Sequence, residues 1–215
     1  MVRKTPTIPQ LPLSLFRTPH AGATGLSGHK VAISANGDTV LWVTSSGVMV
    51  SANQATFTAV SGLPSNVIIA SDKQDNTVFY GASRSTFYIS TDRGVTFTES
   101  GTLGASTAPF QISVNPGVTG DVWVSSDHGL FRSTCLRGPL IALPGISQAW
   151  GISFGAPATG DGYPALFAAA NVDQTVGYYR SDNAGSSWIQ INDEGHGFAS
   201  AATNVVSGDP RIYGR

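Results

Sequence analysis

Cysteine is all but missing from this sequence, with Cys135 standing alone among 215 residues. No internal disulfide framework and no cysteine-cluster metal site can be built from one thiol. Charge is scarce too: 12% of residues are charged and the formal net charge is −1. A near-neutral chain gives no electrostatic reason to bind nucleic acid or an anionic membrane. No apolar run approaches the roughly 18 residues of a membrane span. Helical periodicity is almost absent, which rules out βαβ architectures. The histidines, His20, His29, His128 and His196, are dispersed without metal-ligand spacing, so neither a metal nor a cofactor is expected.

What the chain does have is glycine (25 residues), proline (12) and abundant Ser, Thr and Asn. An uncharged polar surface of this kind suits a neutral ligand such as a carbohydrate. Residues 1–20 carry Pro6, Pro9, Pro12 and Pro19. Their apolar stretch, Leu11 to Phe16, is short and Pro-broken, a poor match to a secretion signal.

Aligned on itself, the chain repeats. Five segments share a short apolar strand ending near a serine, a polar turn and a second strand: VAISANGDTVLWV from Val31, IIASDKQDNTVFYG from Ile68, QISVNPGVTGDVWVS from Gln111, GISFGAPATGDGYPALFAA from Gly151 and NVVSGDPRIYG from Asn204. The aligned serines are Ser34, Ser71, Ser113, Ser153 and Ser207. The intervals are roughly 40 residues, the last one longer, and the Asn-Gly, Asp-Asn and Gly-Asp pieces are hairpin chemistry. A third strand follows in the first four units: GVMVS, TFYIS, LFRS and YYRS.

The sharpest motif comes next. Ser90-Thr-Asp92-Arg-Gly94-Val-Thr96-Phe97 fits the Asp-box pattern S-x-D-x-G-x-[ST]-[WF], and Ser181-Asp-Asn183-Ala-Gly185-Ser-Ser187-Trp188 fits it with Asn for Asp. Ser51 to Phe57 is a degraded, shorter copy, and Ser133-Thr-Cys135 starts one and loses it. The carboxylate or amide is expected to accept hydrogen bonds from backbone amides of the turn. Gly supplies a positive φ. The aromatic starts a fourth strand. Asp92 therefore reads as a turn-holder, not a catalyst.

Four strands per 40-residue unit predict an all-β fold: a β-propeller of four-stranded antiparallel blades with Asp-box (BNR) turns. About four to five blades are expected here of seven in the closed ring. The expected division is a non-blade, Pro-rich segment at 1–20 and a partial propeller at 21–215, with blades starting near 30, 66, 110, 150 and 203. The chain is read as cut at both ends.

The ordered set SANGDTVLW, SGVMVS, VIIASDKQDNTVFYG, STFYISTDRGVTF, VWVSSDHGLFRST and YYRSDNAGSSWIQIND resembles the C-terminal propeller of glycoside hydrolase family 74, over nearly the whole chain from about Gly22. The family comprises xyloglucanases and oligoxyloglucan reducing-end-specific cellobiohydrolases. The resemblance implies a secreted, extracellular enzyme with two seven-bladed propellers clamping a β-1,4-glucan chain. One Asp from each propeller performs inverting hydrolysis, one as general acid and one as general base. The implied partners are xyloglucan and the N-terminal propeller of the same polypeptide. The family's N-terminal propeller, with one Asp, has no counterpart here. Residues 1–20 stand where the blade bearing the other would lie. No catalytic residue can therefore be carried onto this chain, which is expected to be inactive alone. Ser133 to Leu140 (STCLRGPL) also departs from the family, which would show an Asp-box there. The rival reading is a non-catalytic Asp-box propeller that binds carbohydrate or protein.

Other patterns have simpler readings. Gly151-Ile-Ser153-Phe-Gly155 matches the nucleophile elbow G-x-S-x-G, but it sits in the repeat's first strand and lacks the helix that motif needs. Asp127-His128 reads as a hairpin turn. Sugar faces stack on exposed aromatics, and Trp150 begins a first strand, so Trp150 is the leading substrate-binding candidate. His196, in the polar loop 192–198, is the second. Trp42, Trp123 and Trp188 fall inside the strand or turn pattern and are assigned to the core.

Overall fold

The computed structural model describes residues 31–160, 162–193 and 206–215. Among these described residues, sixteen strands form four antiparallel sheets, each in the order of the sequence. The first sheet holds β1 (Val31–Ile33), β2 (Val40–Thr44), β3 (Gly47–Ser51) and β4 (Thr58–Ala59). The second holds β5 (Ile68–Ser71), β6 (Phe79–Ser83), β7 (Thr86–Ser90) and β8 (Thr98–Thr102). The third holds β9 (Pro109–Val114), β10 (Asp121–Ser126), β11 (Gly129–Thr134) and β12 (Ile141–Ala142). The fourth holds β13 (Ile146–Phe154), β14 (Leu166–Val172), β15 (Thr175–Ser181) and β16 (Ile189–Gln190). No helix occurs among the described residues.

Strand chemistry follows from alternation. In β2, β3 and β7 buried and half-buried residues alternate before a buried final residue, as a sheet covered on one face demands. Each sheet then buries its apolar face against the next. Leu41, Val43, Val48 and Val50 meet Val67, Ile69 and Phe79 between the first and second sheets. Tyr80, Phe87 and Ile89 meet Ile112, Val122 and Val124 between the second and third. Trp123 and Leu130 meet Ile152, Leu166 and Tyr179 between the third and fourth. Full burial of one such aliphatic or aromatic side chain contributes about 1.5–3 kcal/mol. The core is therefore a row of inter-sheet layers.

The first strands neighbour one another in sequence order, β1 by β5, β5 by β9 and β9 by β13. Ile152 N donates to Gln111 Oε1 across the last pair at 3.1 Å. This is the arrangement of propeller blades around an axis, with the first strands innermost. Because the strands run antiparallel, connections alternate between two ends. One end carries the β2–β3, β6–β7, β10–β11 and β14–β15 hairpins and the links between sheets; we call it the hairpin end. The other, the turn end, carries the connections before and after those hairpins.

Two features depart from the simple repeat. First, the third sheet keeps its fourth strand although Ser133 to Leu140 has lost the turn motif. Ser133 Oγ donates to Cys135 O at 2.9 Å, Gly138 N donates to the same carbonyl at 3.0 Å, and Ile141 pairs with Arg132. Second, β14 and β15 run seven residues each, against five in β6 and β7. Two further residues at about 3.3 Å apiece lift the fourth hairpin roughly 7 Å beyond the second.

Residues 206–215 contain no strand, yet they lie along β13. Gly208 N donates to Ser153 Oγ at 3.1 Å and Ala156 N donates to Asp209 O at 2.7 Å.

Candidate functional site

The turns between third and fourth strands are held by dense hydrogen bonding. Asp92 Oδ1 accepts from Val95 N at 3.1 Å, Thr96 N at 2.9 Å and Ser90 Oγ at 2.7 Å. Ser90 Oγ in turn accepts from Gly94 N at 2.9 Å. Burial works to raise the Asp92 pKa, but the hydroxyl and amide donors outweigh it and hold the carboxyl below its ordinary value. Such an acid is a poor proton donor at neutral pH. Asn183 repeats the geometry, accepting from Ser187 N at 2.9 Å while Ser181 Oγ accepts from Gly185 N at 2.9 Å. The degraded copy keeps it too: Asn53 Oδ1 accepts from Ala55 N at 2.9 Å and Thr56 N at 2.8 Å.

These turns also dock sheets together. Gly94 has φ +78°, and a Cβ there would lie 2.5 Å from Leu41 Cδ1 of the preceding sheet. Gly185 has φ +83°, and a Cβ there would lie 2.5 Å from Trp123 Cη2. Only glycine meets both demands.

A second polar cluster lies between the third and fourth sheets. Asp121, 2% exposed, receives Arg132 Nε at 2.9 Å, Asn115 Nδ2 at 2.7 Å and Tyr163 Oη at 2.7 Å. Tyr163 Oη accepts from Trp123 Nε1 at 3.0 Å, and the Arg132 guanidinium lies 5.0 Å from both the Trp123 and Tyr163 ring centres. Burial and the Asp121 carboxylate push the Tyr163 phenol well above its usual range. Every polar atom here has a partner, so the cluster fastens two sheets and offers no open coordination or proton-transfer position.

At the hairpin end, Asp127 and His128 form the tip of the β10–β11 hairpin, as Ser126 pairs with Gly129. Asp127 accepts from Ser106 Oγ at 2.7 Å, Thr107 Oγ1 at 2.6 Å and Ala108 N at 3.1 Å, clamping the β8–β9 link. Burial opposes ionisation, but these donors prevail and hold the carboxyl far below its ordinary value. His128 Nδ1 lies 3.3 Å from Asp127 Oδ2 on an exposed ring, so the pair is a turn and not a buried acid–base couple.

Trp150 lies in β13 at a break in register between Ala149 and Gly151. A β-bulge of this kind leaves the extra residue unpaired and re-aims its side chain. Trp150 is half-buried and its side chain makes no hydrogen bond or ring contact with the described residues. Trp123, in contrast, is wholly buried. Trp42 and Trp188 are half-buried, Trp42 against Phe57 at 6.1 Å. His196, the second candidate, lies outside the described residues. Ser153 of the G-x-S-x-G match stays within β13 and no helix follows it, so it is no nucleophile elbow.

Sequence reasoning missed the Asp121 cluster, whose members are 42 residues apart, and the tall fourth hairpin. The length of the stretch between Phe154 and Ser181 was the one available signal for the latter.

Comparison with known proteins then adds lineage. No family model matches the chain. It is 36% identical to a xyloglucanase of Paenibacillus sp over 204 residues, 91% of this chain and 20% of the relative. It is 37% identical to a xyloglucanase of Hypocrea jecorina over 198 residues, 91% of this chain and 23% of the relative. Among solved structures it resembles the GH74 xyloglucanase from Xanthomonas campestris, with a TM-score of 0.78 and 28% identity over 93% of this chain and 29% of that one. The chain thus spans about a fifth to a quarter of the length of the curated relatives it matches.

Proposed function

Since this chain belongs to glycoside hydrolase family 74, we propose that it is part of a propeller of a xyloglucan-degrading hydrolase and supplies glucan-binding surface to it. One observation carries the reading: similarity to xyloglucanases runs across 91% of the chain, covering every one of its sheets. The family's inverting mechanism requires two separated carboxylates, one to protonate the leaving oxygen and one to activate water. The best-placed acids here are engaged otherwise. Asp92 holds a turn, Asp121 fastens two sheets and Asp127 clamps a link. We therefore read the catalytic pair as lying outside this chain.

Within that reading, residues 21–215 are a partial propeller whose fifth blade opens near 203, and residues 1–20 are a non-blade segment. The turns at Ser90, Ser181 and Ser51 are Asp-box turns. Trp150 is the sugar-stacking platform, supported by its bulge and its freedom from ring partners. His196 is a second contact. The working partner is the N-terminal propeller of the same enzyme, and the setting is extracellular.

Incubating the purified chain with xyloglucan tests the assignment. We expect the polymer to be retained on affinity gels with no new reducing ends. Release of oligosaccharides would sink the claim that both acids lie elsewhere. A non-catalytic binding propeller is the second reading, favoured by the engagement of the acids just described. Genomic sequence on either side of the frame separates the two, since an adjoining tandem propeller belongs to the enzyme alone.

A further inference from the structure

Between β1 and β2 the chain turns through Ser34-Ala-Asn36-Gly37-Asp38-Thr39, and Asn36 is the one asparagine in the chain followed by glycine. The turn is tight, with Gly37 N donating to Ser34 O and Ser34 N donating to Thr39 O, both at 2.9 Å. Gly37 stands at φ +82°, and a Cβ there would meet nothing within 4 Å. Asn36 is exposed. Its side-chain carbonyl accepts from Ser34 Oγ at 2.8 Å and Asp38 N at 3.3 Å, while Nδ2 donates to Asp38 Oδ2 at 2.8 Å. Its main-chain N donates to Asn76 Oδ1 at 2.7 Å, which ties this turn to the one between β5 and β6.

This arrangement has a chemical consequence. Donors aimed at a carbonyl oxygen stabilise the negative charge that develops there when its carbon is attacked. The nitrogen of Gly37 is the adjacent nucleophile, and no side chain on Gly37 obstructs its approach. Asn53 and Asn183 also sit in exposed turns, but Gln54 and Ala184 follow them, so a Cβ stands beside the nitrogen that must attack. One bond guards Asn36. The Gly37 N–H donated to Ser34 O has to open first, so reaction proceeds from the open fraction of the turn.

We propose that Asn36-Gly37 is a self-modifying site at which deamidation unfastens the first sheet from the second at the turn end. The Gly37 nitrogen bonds to Asn36 Cγ, the Cγ–Nδ2 bond breaks, and Nδ2 leaves as ammonia with the proton of the Gly37 amide. Water then opens the resulting succinimide, at Cγ to leave aspartate or at the main-chain carbonyl to leave isoaspartate. Either product carries a new carboxylate beside Asp38 and lacks the amide donor. That donor is the largest cause holding the Asp38 carboxyl below its ordinary value. Like charges then face each other across the turn. Isoaspartate also routes the main chain through Cβ and displaces Gly37, whose carbonyl accepts from Gln54 Nε2 at 3.1 Å. The ties to Asn76 and Gln54 loosen together.

The test incubates the whole native chain in heavy-oxygen water at mildly alkaline pH, beside a urea-unfolded sample. Peptides are mapped by mass spectrometry and by an isoaspartate assay. Conversion should concentrate at Asn36, run slower than in urea and incorporate the label. Gly37→Ala should abolish it. That variant has no neighbouring atom to clash with and keeps the fold, so the loss reads chemistry and not collapse. Asn76→Ala should quicken conversion about five-fold by freeing the turn. Asn36→Asp, the product mimic, should lower Tm by about 3–8 °C and hasten hydrogen exchange across β1 and β2. Native Asn36 left intact while the unfolded sample converts, or an unchanged rate in Asn76→Ala, overturns the site. Native Tm and native exchange in Asn36→Asp overturn the unfastening.

Discussion

Replacing Gly94 by alanine should separate two costs that the structure superimposes. Gly94 sits at φ +78° with Leu41 Cδ1 2.5 Å from its would-be Cβ, whereas Gly37 sits at φ +82° with nothing within 4 Å. Gly37→Ala therefore incurs only the backbone penalty of the left-handed region, about 1–2 kcal/mol. Gly94→Ala incurs the same penalty and adds a clash in a packed layer where Leu41 is fully buried, a further 1–3 kcal/mol. The expected difference between the two variants is thus about 1–3 kcal/mol in urea unfolding. For a chain of this size that corresponds to roughly 3–10 °C in Tm. Leu41→Ala supplies the control. Alone it should cost about 2–5 kcal/mol, and combined with Gly94→Ala it should cost less than the sum by at least about 1 kcal/mol. If Gly94→Ala and Gly37→Ala destabilise equally, within about 0.5 kcal/mol, the turn does not act as an inter-sheet contact and the docking argument fails.

Asp121→Ala should cost about 2–4 kcal/mol, because it strands a partly buried Arg132 and the Tyr163 hydroxyl at once; a change below about 1 kcal/mol would show that solvent replaces the carboxylate. The Asp127 carboxyl is depressed in the fold, so the stability it contributes is fully present above the unfolded value near 3.8 and is lost as pH falls below it. Acid titration of Asp127→Asn should accordingly show a shallower loss of Tm below pH 4 than the native chain, and an identical slope would refute the assignment. Trp150→Ala should weaken xyloglucan-oligosaccharide binding about ten-fold or more with little change in Tm, since the ring has no described ring or hydrogen-bond partner to lose; a large Tm drop with unchanged affinity would return it to the core.

How much of this could be read beforehand depends on the range of the forces. The Ser90–Phe97 turn was legible because its donors and acceptors lie within four residues of one another. The same locality explains why the degraded copy at Ser51 still works: Asn53 retains the acceptor that matters, and the residue lost lies beyond it. The fourth strand of the third sheet was not legible. There the turn is held by Ser133 Oγ and the Cys135 carbonyl, and a backbone carbonyl leaves no trace in residue type. The Asp121 cluster was hidden for the opposite reason, its partners being brought together from across a sheet boundary. Trp150 was picked out by its place in a first strand, but the bulge that sets it apart arises where the nine residues of β13 pair with the seven of β14. The left-handed backbone at Asp173 and Gln174 was hidden because neither position carries a glycine to announce it.

The glycine contacts give the row of sheets a direction. Twice, it is the later sheet's turn that reaches back to the earlier sheet's second strand, Gly94 onto Leu41 and Gly185 onto Trp123. Ser61, just past β4, adds a parallel bridge to Thr96 in the same sense. The first and third sheets are thus each latched by their successors, as overlapping roof tiles are. The first sheet holds no tile beneath it among the described residues, so it is fastened from one side only. Nearest-neighbour coupling of this type makes stability additive along the row and failure local. Hydrogen exchange should then open residues 31–59 ahead of the middle sheets. Gly94→Ala should release that first tile while leaving the Gly185 latch shut.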